Sequence, residues 1–307
     1  MSKNLFNPKI LMILAFFGLF ACDSDDEAPN LRPKLDYAAV THETPYTVLF
    51  VDENGTSTVD LTEGNTLLKM FQSLNAHSTS SVSANEHIDA AVLKNMFSNT
   101  GNPFYDIEAS NINGAQLNAS TLNLKNVVAS SLAGTEAEAV RAKIESEFEE
   151  IEEGSHYVDA TASIGQAGKL GRYLVDEKGI EIAQVIQKSL IGALQLDYIG
   201  NVLLDEGLDA DNTKLISDRN YTALEHNWDI AYGLLTLNPI YLAGSTDDKR
   251  GTTEFGAGSY IWEYNKANYA KIYPAFLKGR AAIVNNDKAE LQTQATFIRT
   301  EFEKALA

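Results

Sequence analysis

No proline occurs from Phe104 through Asn238, 135 consecutive residues. Proline removes a backbone donor and clashes with the preceding turn, so it is costly inside a helix, and a stretch this long without it leaves room for several long helices. Apolar periodicity fills that room. Residues 136–153 read as a charged amphipathic helix with Ala139, Ile144, Phe148 and Ile151 on its inner face, ended by Gly154. Residues 176–205 carry Ile180, Ala183, Ile186, Leu190, Leu194, Ile199 and Leu203, apolar over most of the circumference, and read as the central buried helix. Residues 221–237, 260–285 and 287–307 supply three more, with a kink or break expected after Tyr273, where Pro274 falls. The last ends at Ala307 without Gly, Asn or Pro, the pattern of a chain that continues past its final residue. The expected fold is mainly α, a helical bundle in one or two parts.

Before this stretch the pattern is mixed. Tyr46, Val48 and Phe50 alternate with Thr47, Leu49 and Val51, and Asp52-Glu53-Asn54-Gly55 offers a turn before the β-prone run 56–61. That is the signature of a small N-terminal β-hairpin over residues 46–61. Thr62, Glu63 and Asn65 can cap a helix through Leu67, Leu68, Met70, Phe71 and Leu74, and a second short helix is expected over residues 85–97. The Ser/Thr run 78–83 and the Asn- and Gly-rich segment 99–120 read as loops.

The first 21 residues form a signal peptide, with Lys3 and Lys9 ahead of the apolar run 10–20, which is too short to span a bilayer comfortably. The run closes in Leu19-Phe20-Ala21-Cys22, which resembles a bacterial lipobox, so Cys22, the only cysteine, is expected to carry a lipid anchor. Residues 22–45 then read as an acylated tether, opening on the acidic cluster Asp23-Ser24-Asp25-Asp26-Glu27 and containing Pro29, Pro33 and Pro45. This acidic start resembles the export signals of Bacteroidota-type lipoproteins. It implies a bacterial outer-membrane location facing the cell exterior.

Charge excludes one class of partner. With 24 Lys+Arg against 42 Asp+Glu the formal charge is -18, and nucleic-acid binding needs a basic footprint to displace phosphate counterions. A single cysteine likewise leaves no intrachain disulfide and no thiolate metal cluster.

Chemistry concentrates in residues 221–233. On a helix Glu225 and Asp229 are four apart and His226 lies three before Asp229, so two carboxylates and an imidazole share a face, while Leu224, Trp228, Ala231 and Leu235 form the core stripe. The carboxylates repel each other unless a cation lies between them. One candidate cation is a metal, iron, zinc or manganese, with Asp197 from the apolar run 194–199 completing the set from another helix. The other is a basic side chain, Arg219, Lys278 or Arg280, with His226 a hydrogen-bonded core residue, and structural ion networks of this kind use the same residue types more often than metal sites do. Gly165-Gln-Ala-Gly168 lacks phosphate-loop spacing and reads as a tight connection. Asp209, Asp211 and Asn212, and Asp247, Asp248 and Glu254, lack the Gly and terminal Glu of a calcium loop.

Gly165-Gln-Ala-Gly168, Tyr173-Leu-Val-Asp176, Gly179-Ile-Glu181, Asp197-Tyr-Ile-Gly-Asn201, residues 221–233 and Phe276-Leu-Lys-Gly-Arg-Ala-Ala-Ile283 together resemble a family of Bacteroidota lipoproteins known as a domain of unknown function. Its most specific part is the Glu-His-x-Trp-Asp core. That family is similar in architecture to imelysin-like lipoproteins linked to iron acquisition, whose Gly-x-His-x-x-Glu motif is matched here by His226 and, with shortening, Asp229, while Leu224 stands in place of the Gly. The resemblance implies an iron-acquisition or other metal-binding accessory role through Glu225, His226, Asp229 and Asp197. The alternative is a metal-free surface module that binds another envelope protein or a ligand, with Trp228 and Arg280 structural or ligand-facing. A peptidase would need a metal-activated water and a general base. With one His in the cluster and no His-Glu-x-x-His pair, an enzyme is the least expected outcome.

Overall fold

The computed structural model describes residues 31–40, 45–236, 254–264 and 266–306. Cys22, the acidic cluster within residues 23–27, Asp247 and Asp248 lie outside them. The chain is mainly helical, as the proline-free stretch and the apolar spacing lead one to expect. In order come α1 (Tyr46–Leu49), α2 (Thr62–Ala84), α3 (Ala90–Ser98), α4 (Gly114–Ala119), α5 (Leu124–Val127) and α6 (Gly134–Ser155). A two-stranded antiparallel ribbon, β1 (Gly168–Leu170) and β2 (Tyr173–Val175), separates these from α7 (Ile182–Leu190). Then follow α8 (Ala223–Leu235), α9 (Ala257–Tyr264), α10 (Lys266–Asn285) and α11 (Lys288–Leu306). A wide-turned π-helical segment, Ile191–Leu203, continues directly from α7.

Two pairings organise the core: α2 lies along α8, and α10 lies along α11. At the first, a side chain on Gly64 would strike the Ile230 carbonyl and the Leu234 amide, and one on Gly233 would come within 2.9 Å of the Leu61 carbonyl. The two glycines therefore let the backbones of α2 and α8 meet where they cross. Trp228, fully buried on α8, lies over Gly279 of α10 and donates its indole N–H to the Phe276 carbonyl at 2.9 Å.

Several expected elements differ. Residues 46–61 form no hairpin: Tyr46 and Phe50 are buried four residues apart across the short α1, their rings edge to face at 5.3 Å, while Val48 faces solvent. Only the turn is as expected, the Asp52 carboxylate accepting from the Asn54 and Thr56 amides beside a single bridge between Val51 and Ser57. The run 78–83 is not a loop but the last turns of α2, which Asn85 then ends in the left-handed conformation. The helix expected from residue 85 begins at Ala90, and the segment 99–120 contains α4. α6 passes through Gly154 to Ser155. The central helix starts at Ile182 rather than 176, because Asp176 instead accepts from the Lys178 and Ile180 amides in a turn after β2. Pro274 lies within α10, which continues on both sides of it.

Part of the expected tether is bound to the bundle. Within residues 31–40, the Leu35 amide donates to Asn285 at 2.7 Å, the Asn285 amide returns a bond to the Leu35 carbonyl at 2.9 Å, and Tyr37 donates to Asp287 at 3.0 Å. No helix among the described residues is long and apolar enough to cross a membrane.

Candidate functional site

α8 begins with a capping box. The Thr222 hydroxyl accepts from the Glu225 amide at 3.1 Å, and the Glu225 carboxylate accepts from the Thr222 amide at 2.8 Å. This Thr-x-x-Glu pattern was legible in the sequence and gives Glu225 a local task before any tertiary partner is considered. One turn later comes Asp229. Both carboxylates are fully buried.

The cation between them is Arg280, on α10 and itself fully buried. Its Nη1 donates to Glu225 Oε1 at 2.6 Å, its Nε to Asp229 Oδ1 at 3.1 Å, and its Nη2 to the carbonyl and hydroxyl of Thr58, each at 3.2 Å. The Phe50 ring lies 5.2 Å from the guanidinium carbon. A second arginine, Arg32, donates to the same Glu225 oxygen and to the Asn220 carbonyl. Asp229 also accepts from the Tyr46 hydroxyl at 2.7 Å and the Asp60 amide at 3.2 Å. Every oxygen of the pair is thus occupied by a protein donor. Of the bases the sequence offered, Arg219 and Lys278 face solvent and Arg280 is the partner.

Burial raises the proton affinity of both acids, but the outcome differs. For Glu225 the charges of Arg280 and then Arg32 outweigh burial and hold the carboxyl below its ordinary value. For Asp229 burial prevails over Arg280 and the Tyr46 and Asp60 donors, and the carboxyl is pushed up to about 6. Burial works to lower Arg280, yet Asp229 and Glu225 together raise it, so it stays charged.

The structure separates the other expected ligands from this pair. His226 turns toward Glu63, its Nε2 3.7 Å from the carboxylate, and stacks on Tyr221 at 4.9 Å, with no partner for its buried Nδ1 among the described residues. Asp197 sits on the π-helical segment and accepts from the amide and hydroxyl of Ser131 and from Asn201 at 3.0 Å. It lines a separate cleft of about 280 Å³ with Leu196, Arg299, Phe302 and Glu303. Among the described residues no three His, Cys, Asp or Glu side chains converge as a metal centre requires. Trp228 is a core residue rather than ligand-facing. The space beside Glu225, bounded by Arg32, Asn212 and Thr222, is about 10 Å³, room for a water at most. Sequence reasoning missed Arg32, which looked like part of a free tether, and Tyr46 and Thr58, which looked like strand.

Residues 45–307 match the model of a family described as Domain of unknown function (DUF4856). No curated protein and no solved structure matches the chain.

Proposed function

From the premise that this chain belongs to the DUF4856 family, we propose that it is a lipid-anchored surface binding module that uses no metal at its buried acidic pair. One observation supports this above others: Arg280 occupies the place between Glu225 and Asp229 that a metal would need, and Arg32 reinforces it. A site with both carboxylates neutralised, and room for a water at most beside Glu225, is a brace that orders the helices around it. The iron-accessory reading needs His226 and Asp229 on one ion, and His226 faces Glu63 instead. Binding then belongs to the outer surface of the bundle. Cys22 acylation and the acidic cluster after it would hold that surface on the outside of the outer membrane, against an envelope protein, a ligand or the membrane itself.

The test is thermal unfolding of chelator-stripped protein with iron, zinc, manganese or calcium added. A ligand bound only to the native state raises the melting temperature by mass action. We expect no metal-dependent rise; a rise abolished by His226→Ala would replace this reading with the metal-binding one.

A further inference from the structure

The ribbon β1–β2 and the turn before it carry large apolar side chains that nothing among the described residues covers. Ile164 is fully exposed at the tip of a turn closed by Ser163 and Gln166, which bond each other's backbones. Gly165, at φ +75°, supplies the left-handed residue that turn needs. Leu170 is 63 % and Tyr173 40 % exposed, and they face each other across the ribbon in register. The root is firm: Leu174 and Val175 are buried, and the Lys169 amide and carbonyl bond Ala160 and Ala162. Arg172 donates to the Tyr173 hydroxyl at 2.7 Å and lies over its ring, and Lys169 reaches Asn85. Residues 160–175 hold both of these basic residues and no acid, in a chain of formal charge -18.

We propose that this ribbon is a membrane-contact element that dips Ile164 and Leu170 into a lipid surface, with Tyr173, Arg172 and Lys169 at headgroup depth. Area and charge favour lipid over protein. A protein partner of ordinary stability buries about 800 Å² on each side, whereas three exposed side chains offer a few hundred Å² at most. A bilayer needs no complementary pocket and attracts Tyr, Arg and Lys to its interface. Contact by the ribbon does not rest on the proposed acylation at Cys22.

The test therefore uses the processed chain from residue 22 carrying Cys22→Ala, so that no acyl chain contributes, mixed with phosphatidylcholine–phosphatidylglycerol vesicles. A polarity-sensitive dye on Ile164→Cys, then the sole thiol, should shift to the blue and be quenched by lipids labelled in their acyl region. With the natural tip, co-sedimentation should fall about tenfold or more on Ile164→Asp with Leu170→Asp, since two apolar side chains lose their burial, at unchanged melting temperature. A dye indifferent to vesicles, or equal sedimentation of the Asp variant, overturns the proposal. A dye that responds only to solubilised envelope protein overturns it in favour of a protein partner. None of these outcomes depends on metal, so they are separable from the test of the module itself.

Discussion

Asp229 is held by three donors and still titrates high, because it lies where water does not reach and its one cation is shared with Glu225. In the unfolded chain it titrates near 3.8 and in the folded protein near 6. Its contribution to stability is thus fully present below 3.8, declines as pH rises through about 6, and is flat above that. Glu225, whose folded value is lowered, has the opposite sign: its contribution is present above 4.5 and is lost as pH falls. Urea titrations of Asp229→Asn across this window should therefore lack the decline between 3.8 and about 6 expected of wild type. An undiminished decline in the variant would assign it to another group.

The contact between α2 and α8 makes a sharper demand on residue size than on residue type. Gly64→Ala gains about 1 kcal/mol of helix propensity but must push apart two backbones, and overpacking typically costs about 1–3 kcal/mol. Chemical denaturation should show net destabilisation. Gly134, at the start of α6 with open space where a side chain would go, should show the reverse on Gly134→Ala, a gain of about 0.5–1 kcal/mol. Helix content was legible because the absence of proline and apolar spacing act locally. The run 78–83 was not, because its propensity is poor and tertiary packing overrides it: Ser78 and Ser81 are buried in the core face, and Ser78, Thr79 and Ser83 bond carbonyls four residues back. At residues 46–51 the alternation suggested a strand, yet the two largest side chains, Tyr46 and Phe50, were already at helical spacing. The ribbon at 168–175 escaped notice because each strand has only three residues, too few for a period to declare itself. The acidic pair and Arg280 were legible as types, since two buried acids one turn apart require a cation. Which cation they take depends on how α8 meets α10, and nothing in the local sequence encodes that.

Taken as a whole, the molecule is tied together at Arg280. That side chain connects α10 to α8, to Thr58 before α2 and, through Glu225, to Arg32 in the N-terminal segment. A segment tethered at Cys22 would pass any pull on the anchor to this centre. Fractionation tests the anchor: Cys22→Ala should move the protein from the membrane to the soluble fraction, and unchanged partition would reject acylation. The account rests most heavily on the acidic pair being neutralised from within, and a charge-removal cycle followed by urea unfolding addresses that directly. Arg280→Met alone leaves the buried Asp229 without a cation and Glu225 with Arg32 only, and should cost about 3–5 kcal/mol. Adding Glu225→Gln and Asp229→Asn to the same chain should recover a substantial part of the loss. Wild-type stability in Arg280→Met, or no recovery on neutralising both acids, would contradict the assignment of Arg280 as the cation that closes this site.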